Sequence, residues 1–359
     1  MITYITYPTY FTYPPPKKTK RKNMLRRYKI LVYALAALLV LSAFKQDKVV
    51  TIFMIGDSTM ANKSLKNGNK ERGWGMALQC YFDDGIRVDN HAVNGRSSKS
   101  FIDEGRWQVV LDKIRPGDYV FIQFGHNDEK PKADRHTDPG TTFDANLAKF
   151  VRETREKGGI PVLFNSVVRR NFLKVVPKND DDEALRNTTG PTKVDAAEEG
   201  DSLVDTHGDY IVAPRNVAEQ LGVAFVDANR ITHELEQGMG REASKKLHMW
   251  FMPGEEPSVP KGRQDNTHYN VYGAHVVASL LADAVAAEVP ALKKHVVHRD
   301  MSVAANGIGD CFTVQEAEDK AQQGRKTTVQ LFGGEWERPD VPKGKKIKFV
   351  LRDGAKWKK

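Results

Sequence analysis

The sequence predicts an α/β protein, a three-layer sandwich in which helices cover both faces of a central parallel sheet. Two observations predict this fold. Short apolar runs alternate with stretches of helical periodicity, the order expected of successive βαβ units. Polar residues suited to chemistry directly follow several of the apolar runs, and in a parallel sheet such positions meet at one edge, where α/β enzymes bind ligands.

The predicted elements alternate along the chain between strand and helix. Two long polar stretches, 171–209 and 240–264, are expected to be loops, and loops of this length beside strand ends are usually functional or disordered. Strands are predicted at 49–55, 87–93, 119–124, 161–165 and 224–226. Helices are predicted at 75–82, 108–114, 143–157, 210–220 and 273–289.

Charge is distributed unevenly, so the formal net charge of +9 does not describe the predicted enzyme body. Residues 1–43 contain eight basic and no acidic residues, and residues 337–359 contain nine basic and three acidic residues. The remainder, 44–336, carries a net charge of −5. Basic ends are typical of targeting signals and solvated tails, so the pattern argues against nucleic acid as a partner.

The N-terminal 47 residues have the pattern of a secretory signal peptide preceded by extra residues. Arg26 and Arg27 precede the apolar run 30–41, and small residues follow at 42–43. The run is shorter than the roughly 20 residues of a membrane-spanning helix, so we expect membrane contact only during export. Export predicts a periplasmic or extracellular location. An uncleaved membrane anchor is the alternative, and Met24 is an alternative start.

The two cysteines, Cys80 and Cys311, are too few for a disulfide framework. Cys80 lies in an apolar helical pattern, so we expect a buried free thiol there. The sequence leaves pairing of the two cysteines open. No cluster of cysteine and histidine has the spacing of a zinc site.

The tripeptide Gly56-Asp57-Ser58 directly follows the first predicted strand. A serine at the end of a buried strand lies at the carboxyl edge of the sheet, where a nearby base can activate it. The simpler interpretation is a turn that caps the next helix, because all three residue types are common in turns. Met60 stands where a G-x-S-x-G elbow has its second glycine, so this is not the motif of the α/β-hydrolases.

Three further segments contain the groups that a serine nucleophile needs. Asp265 and His268, three residues apart and ahead of a helix, can supply from one loop a base and the carboxylate that orients it. Asn127 follows the third strand and can donate an N–H to an oxyanion, and Gly95 follows the second strand. Each segment alone also fits a turn or a helix cap. Together, each at a strand end or helix start, they predict acyl transfer by a serine nucleophile.

These segments resemble, in order, the four blocks of the SGNH (GDSL-type) hydrolases. The residues within these blocks, and two further segments at 168–172 and 205–210, resemble the sequences of rhamnogalacturonan acetylesterases and related carbohydrate esterases. The resemblance covers about residues 48–290 and implies a flavodoxin-like sandwich, the SGNH hydrolase fold, as one esterase domain over 48–295. The four blocks are 55–61, 94–101, 123–128 and 265–270.

The resemblance implies a role for each block residue. Ser58 is the nucleophile, His268 the base and Asp265 the partner that orients it. The backbone N–H groups of Ser58 and Gly95, with the Asn127 side chain, form the oxyanion hole. This chemistry requires neither a metal nor a cofactor.

Three other residues are candidates for binding substrate. Trp250 precedes Asp265 and could stack on a sugar ring, although a tryptophan is more often a packing residue. Arg169 and Arg170 could pair with galacturonate carboxylates, and a solvated basic pair is the equal alternative.

The C-terminal segment, 296–359, differs in composition from the rest. Residues 302–317 resemble the opening coil of the right-handed β-helix of pectin methylesterases, whose catalytic aspartates have no counterpart here. A β-helix needs neighbouring coils to bury its core, so we interpret this segment as a fragment of a second enzyme that adds nothing to the esterase. The alternative is that it docks on the esterase body, through Trp336, Phe349 and Trp357.

The predicted function is a secreted enzyme that removes O-acetyl groups from pectic polysaccharide, with acetylated rhamnogalacturonan as the implied substrate. The alternatives within enzymes are a deacetylase of xylan or another glycan and a broad hydrolase of small esters. A carbohydrate-binding protein with a decayed site is the alternative from another class. The presence of Ser58, Asn127, Asp265 and His268 argues against decay.

Overall fold

The structure is a computed structural model and describes residues 49–173 and 199–359. The predicted signal region and most of the predicted loop at 171–209 lie outside the described residues. The described residues belong to one compact unit.

Strands and helices alternate through the first three quarters of the described chain. The strands are β1 (Val50–Gly56), β2 (Ile86–Asn90), β3 (Tyr119–Gln123), β4 (Ile160–Phe164), β5 (Phe172–Leu173), β6 (Glu199–Leu203), β7 (Ala224–Val226), β8 (His248–Phe251), β9 (Arg263–Tyr269), β10 (Met301–Ala304), β11 (Lys326–Phe332), β12 (Glu335–Trp336), β13 (Lys346–Arg352) and β14 (Lys356–Trp357). The helices are α1 (Trp74–Ala77), α2 (Ser98–Asp103), α3 (Arg106–Leu111), α4 (Thr142–Glu156), α5 (Ala213–Leu221), α6 (Ala228–Ala243), α7 (Val271–Glu288), α8 (Pro290–Lys293) and α9 (Val314–Lys320). Short 3-10 turns lie at Lys66–Gly68, Leu78–Tyr81, Gly208–Ile211 and Ser244–Leu247.

The central sheet is parallel throughout, with the strand order β2-β1-β3-β4-β7. The predicted α/β sandwich is therefore confirmed. Every predicted strand has a counterpart whose ends lie within three residues of the prediction, and the same holds for every predicted helix when α1 is taken together with the 3-10 turn Leu78–Tyr81 that continues it. Because β2 and β3 flank β1 on opposite sides, the chain reverses direction across the sheet at β1. A crevice opens at such a point beyond the carboxyl ends of the strands.

Both faces of the sheet are buried, as a parallel sheet requires. Alternate residues of β1 enter different clusters: Ile52 and Met54 pack with Trp74 on one face, and Phe53 and Ile55 pack on the other. Helices α1 and α7 cover the first face, and helices α2 to α5 cover the second. The period-two alternation of side chains along a strand produces this division.

Helix α6 and the hairpin of β8 and β9 are among the elements that the sequence did not predict. Helix α6 occupies residues predicted without an element, and Gly240 leaves helical geometry within its last turn. The predicted loop at 240–264 contains β8 and the start of β9, which pair antiparallel with Trp250 opposite Gln264. The proline and glycine residues that suggested a loop lie at the tip of this hairpin, where the Gly254 N–H donates to the Pro260 carbonyl.

The C-terminal segment forms parallel strands of its own, in which β10, β11 and β13 make one sheet and β12 pairs with β14. Val303, Cys311, Val329 and Leu331 bury its small core, and Trp336, Phe349 and Trp357 pack against that core. The three aromatic residues therefore stabilise the segment itself.

The segment nevertheless docks on the esterase body. Ala304 and Phe332 join the apolar cluster on the first face of the central sheet. Arg352 donates to the Asp84 carboxylate at 2.9 Å and to the Phe82 carbonyl at 2.5 Å. These contacts favour the alternative, that the segment docks on the esterase body, because apolar surface and a buried arginine are shared across the contact.

Cys80 is a buried free thiol, as predicted, and its Sγ lies 3.2 Å from the Ile308 carbonyl oxygen, which accepts its hydrogen bond. Cys311 is also buried and free. Burial raises the pKa of each thiol to about 11. Both cysteines therefore serve as packing residues.

Candidate active site

The side chains of Ser58, His268 and Asp265 form a connected row beyond the end of β1. His268 Nε2 lies 2.8 Å from Ser58 Oγ, and His268 Nδ1 lies 2.8 Å from Asp265 Oδ2. An ionised carboxylate only accepts hydrogen bonds, which assigns the proton to Nδ1 and leaves Nε2 to accept from the Ser58 hydroxyl. The row has the order of hydroxyl, base and orienting carboxylate that activates a serine.

Ser58 lies in a tight turn that directly follows β1. The turn closes on buried Asp57, which accepts from the backbone N–H and the hydroxyl of Thr59, each at 2.8 Å. Gly56 passes so close to β3 that an added Cβ would lie 2.7 Å from the Gln123 carbonyl oxygen. A larger residue would push the two strands apart, so the glycine and the aspartate hold the backbone that presents Ser58.

Asp265 and His268 lie in strand β9 rather than in the predicted loop. Asp265 Oδ1 accepts from the backbone N–H groups of Thr267 at 2.7 Å and His268 at 2.9 Å, leaving Oδ2 for the imidazole. Burial would raise the pKa of Asp265, but His268 and Arg263 outweigh burial and hold that pKa well below its usual range. Asp265 is therefore ionised at neutral pH and can stabilise a protonated base.

Gly95 and Asn127 lie in neighbouring turns beside the Ser58 turn. The Val93 N–H donates to the Gly56 carbonyl at 3.0 Å, which holds the segment after β2 against the end of β1. Gly95 has a φ of +73°, which glycine adopts without strain. Asn127 Nδ2 donates to the Arg96 carbonyl oxygen at 3.2 Å. The Asn127 amide thus touches the Gly95 turn, as a shared oxyanion site requires.

Asp128 joins these two turns, a role that the sequence analysis did not predict. Its carboxylate accepts from the Ser98 N–H at 3.0 Å, the Ser98 hydroxyl at 2.5 Å, the Gly125 N–H at 3.1 Å and the Thr137 hydroxyl at 2.9 Å. Complete burial raises the pKa of Asp128 to about 7, against the lowering effect of these bonds. The position of Asn127 therefore depends on a buried carboxyl next to it.

Trp250 is half-buried and engaged within the protein. Its Nε1 donates to Asn266 Oδ1 at 2.9 Å, and the cationic groups of Lys245 and Arg170 lie 4.4 Å and 5.1 Å from its ring centroid. The ring lines a cleft of about 710 Å³ together with Phe251 and Met252 of the β8–β9 hairpin and Tyr272 of α7. The indole contacts Asn266 of strand β9, and its contacts favour the packing interpretation over a free stacking platform.

Arg169 and Arg170 are 1% and 4% exposed, and their guanidinium groups are occupied inside the protein. Arg169 forms an ion pair with Glu129. Arg170 donates to Asn266 Oδ1 at 2.8 Å and to Ser244 Oγ at 3.0 Å. The burial argues against a solvated pair, and the internal contacts argue against the predicted binding of substrate carboxylates. Arg170 instead supports Asn266, the residue after Asp265.

Sequence reasoning also missed Arg263, which donates to Asp265 Oδ2 from Nε at 3.1 Å and from a terminal nitrogen at 2.5 Å. This is the same oxygen that accepts from His268. Residues i and i+2 of a strand share a face, so an arginine two residues before the candidate catalytic aspartate was the available signal. The signal required β9 to be recognised as a strand.

Comparison with known proteins finds a matching family and several relatives. Residues 54–276 match the GDSL-like lipase/acylhydrolase family. The chain is 36% identical to rhamnogalacturonan acetylesterase RhgT of Bacillus subtilis over 253 residues, which cover 70% of this chain and 97% of the relative. It is 28% identical to a rhamnogalacturonan acetylesterase of Emericella nidulans over 280 residues, covering 77% and 98%. The crystal structure of Bacillus subtilis YxiM, at 24% identity and covering 68% of this chain and 58% of that one, has a TM-score of 0.52 and shares the fold.

Proposed function

This chain belongs to the GDSL-like lipase/acylhydrolase family and is a carboxylic-ester hydrolase, and we propose that it removes O-acetyl groups from pectic polysaccharide through an acyl-enzyme on Ser58. The observation that carries the mechanism is the row from Ser58 Oγ through His268 to Asp265, with both contacts at 2.8 Å. The names of the relatives, rhamnogalacturonan acetylesterases from a bacterium and a fungus, support the substrate class.

The first half of the reaction forms an acetyl-enzyme. His268 Nε2 accepts the Ser58 proton as Oγ attacks the carbonyl carbon of the acetyl ester. The negative charge that develops on the carbonyl oxygen is held by the backbone N–H groups of Ser58 and Gly95 and by the Asn127 side chain. Asp265 stabilises the imidazolium, which then protonates the sugar oxygen as its bond to the acetyl carbon breaks, so that the sugar leaves with a free hydroxyl.

The second half releases acetate. Water enters in place of the sugar, and His268 accepts a proton from it as it attacks the acetyl carbon. The same oxyanion donors act again, and Ser58 recovers its proton when the C–O bond to Oγ breaks. The chain's own groups complete every proton transfer in this sequence.

Acetate release from a panel of substrates tests the proposal. Acetylated rhamnogalacturonan, acetylated xylan and p-nitrophenyl acetate would be incubated with the wild type and with Ser58→Ala. We expect fastest release from rhamnogalacturonan and none above background with the variant. Preference for xylan would support the glycan alternative, and hydrolysis of p-nitrophenyl acetate alone would support a broad small-ester hydrolase. Binding to the glycans without hydrolysis would identify a carbohydrate-binding protein.

We also propose that residues 1–47 direct secretion to the periplasm or the cell exterior, on the sequence pattern described above. Mass spectrometry of the protein recovered from bacterial fractions tests this point. A new N-terminus near residues 43–48 in the exported fraction is expected. An intact N-terminus in the membrane fraction would identify an anchor instead.

For residues 296–359, we propose a coil of β-helix type like the start of a pectin methylesterase. The parallel stacking of β10, β11 and β13, with β12 on β14, supports this proposal. In this proposal the segment contributes stability to the esterase and no chemistry of its own.

A further inference from the structure

A row of alternating charges continues behind the triad. Arg263 binds Asp265 Oδ2, and its other terminal nitrogen lies 2.6 Å from Glu71 Oε2. Lys63 Nζ lies 2.7 Å from Glu71 Oε1. The side chains of Lys63 and Glu71 are 3% and 13% exposed, so solvent screens this row only weakly. From Lys63 to Asp265 the charges alternate in sign and sum to zero.

The same row reaches the oxyanion side of the site. Lys63 Nζ donates to Asn94 Oδ1 at 2.7 Å, and Asn94 precedes Gly95 in the turn whose N–H faces the oxyanion in the proposed mechanism. Glu71 also forms a backbone bridge with Asn270, two residues after His268. One continuous set of ion pairs and hydrogen bonds therefore contacts both the strand that carries the base and the turn that carries an oxyanion donor.

The charge balance of the row has a consequence for the base. Arg263 partly neutralises the negative charge of Asp265, and a terminal nitrogen of Arg263 lies 3.5 Å from His268 Nδ1. Alone, this cation would disfavour the imidazolium that the reaction forms. Glu71 supplies a second anion on the far side of Arg263 and offsets the effect. We propose that Arg263 and Glu71 are a positioning pair that orients Asp265 and sets the charge around His268.

This inference rests on the proposed function, since it assigns roles within the same site. The charged groups that face the row come from three segments. Strand β9 contributes Arg263, Asp265 and His268, the segment before α1 contributes Lys63 and Glu71, and the Ser58 turn contributes buried Asp57. A change in any one of these charges acts on His268 through a poorly screened environment.

The pH profile of kcat/KM with p-nitrophenyl acetate tests the pair, because its acid limb reports protonation of the base in the free enzyme. Glu71→Gln removes an anion, and the acid limb should move to lower pH. Arg263→Gln removes a cation, and the acid limb should move to higher pH. Each shift should be roughly half a unit to one unit. A merely structural role would lower kcat without opposite shifts.

Further variants separate charge from folding. Arg263→Lys keeps the charge but loses the forked contact, so kcat should fall several-fold with the acid limb unmoved. The double variant Lys63→Met, Glu71→Gln removes a neutral pair and should also leave the acid limb in place. Arg230→Gln and Glu234→Gln alter an exposed ion pair of 2.8 Å on α6 and serve as matched controls.

Opposite shifts in the two single variants, absent from the controls, support the positioning pair. If all variants hydrolyse the ester and the acid limbs of their pH profiles coincide, the positioning pair is overturned while the proposed function remains intact. Absence of ester hydrolysis by the wild type would overturn the proposed function and this assignment together. If Glu71→Gln fails to fold, the comparison of Arg263→Gln with Arg263→Lys decides the question, because only Arg263→Gln should move the acid limb.

Discussion

The carboxylate of Asp128 accepts both the backbone N–H and the hydroxyl of Ser98, thirty residues earlier in the chain. This contact joins the turn after β2 to the turn after β3. Gly95 precedes Ser98 in the first turn, and Asn127 lies in the second. The two side-by-side donors of the proposed oxyanion hole are therefore held by a carboxyl that does not itself face the substrate.

Replacing Asp128 by Ala should lower both stability and activity. The buried donors of Ser98 and Gly125 would lose their acceptor, at a cost of about 3 kcal/mol in the free energy of unfolding. We also expect kcat to fall at least tenfold, because the Asn127 turn loses its anchor. Urea unfolding and p-nitrophenyl acetate kinetics measure both effects, with exposed Asp112→Ala as control. A variant within about 1 kcal/mol of the wild type would refute the anchoring role.

Replacing Asn127 by Ala should lower kcat by roughly 10²–10³ with a smaller change in KM, because the amide donor acts mainly on the transition state. The measurement is steady-state hydrolysis of p-nitrophenyl acetate, with exposed Asn216→Ala on α5 as control. A normal kcat would show that Asn127 only shapes the turn.

Stability at acid pH should depend on Glu71. Burial would raise the pKa of Glu71, but His268, Lys63 and Arg263 outweigh it and lower the pKa from 4.5 to about 2. The ionised carboxylate therefore stabilises the fold above pH 4.5, and this stabilisation is lost as the pH falls towards 2. Between pH 6 and pH 3 the wild type should lose about 2 kcal/mol more than Glu71→Gln. If urea unfolding shows that the two proteins lose the same free energy of unfolding across this range, the lowered pKa of Glu71 is contradicted.

The C-terminal segment should contribute measurable stability. Arg352 is 7% exposed and contacts both Asp84 and the Phe82 carbonyl, so Arg352→Ala should cost about 1–3 kcal/mol. Exposed Lys348→Ala on the same strand is the control. A chain that ends at His298 should melt several degrees lower, because Ala304 and Phe332 no longer cover the core. Thermal unfolding decides, and an unchanged melting temperature would restore the expectation of a dispensable segment.

Local patterns predicted most of the fold and the row of three catalytic candidates. The strands before Ser58 and Asn127 contain the apolar runs 52–55 and 119–122, which mark strands buried on both faces. Ser58 is recognisable because it lies in a turn that directly follows a strand. Asp265 and His268 are recognisable because four consecutive residues close a local ring of hydrogen bonds.

The remaining features depend on contacts between distant segments. Arg169 looks like a surface residue in the sequence, and its burial depends on distant partners such as Glu129, forty residues earlier. The row from Lys63 through Glu71 to Arg263 joins residues almost two hundred positions apart. The apolar residues of the C-terminal segment were expected to serve a β-helix, and nothing local indicates that Phe332 also covers the esterase core.

The most direct test of the account is the rate of acetyl-ester hydrolysis by Ser58→Ala. The wild type should hydrolyse p-nitrophenyl acetate and release acetate from acetylated rhamnogalacturonan. The variant should fold normally by circular dichroism, because the hydroxyl contributes little packing, and its kcat should fall by at least about 10³. Residual activity above about a hundredth of the wild type would contradict Ser58 as the nucleophile.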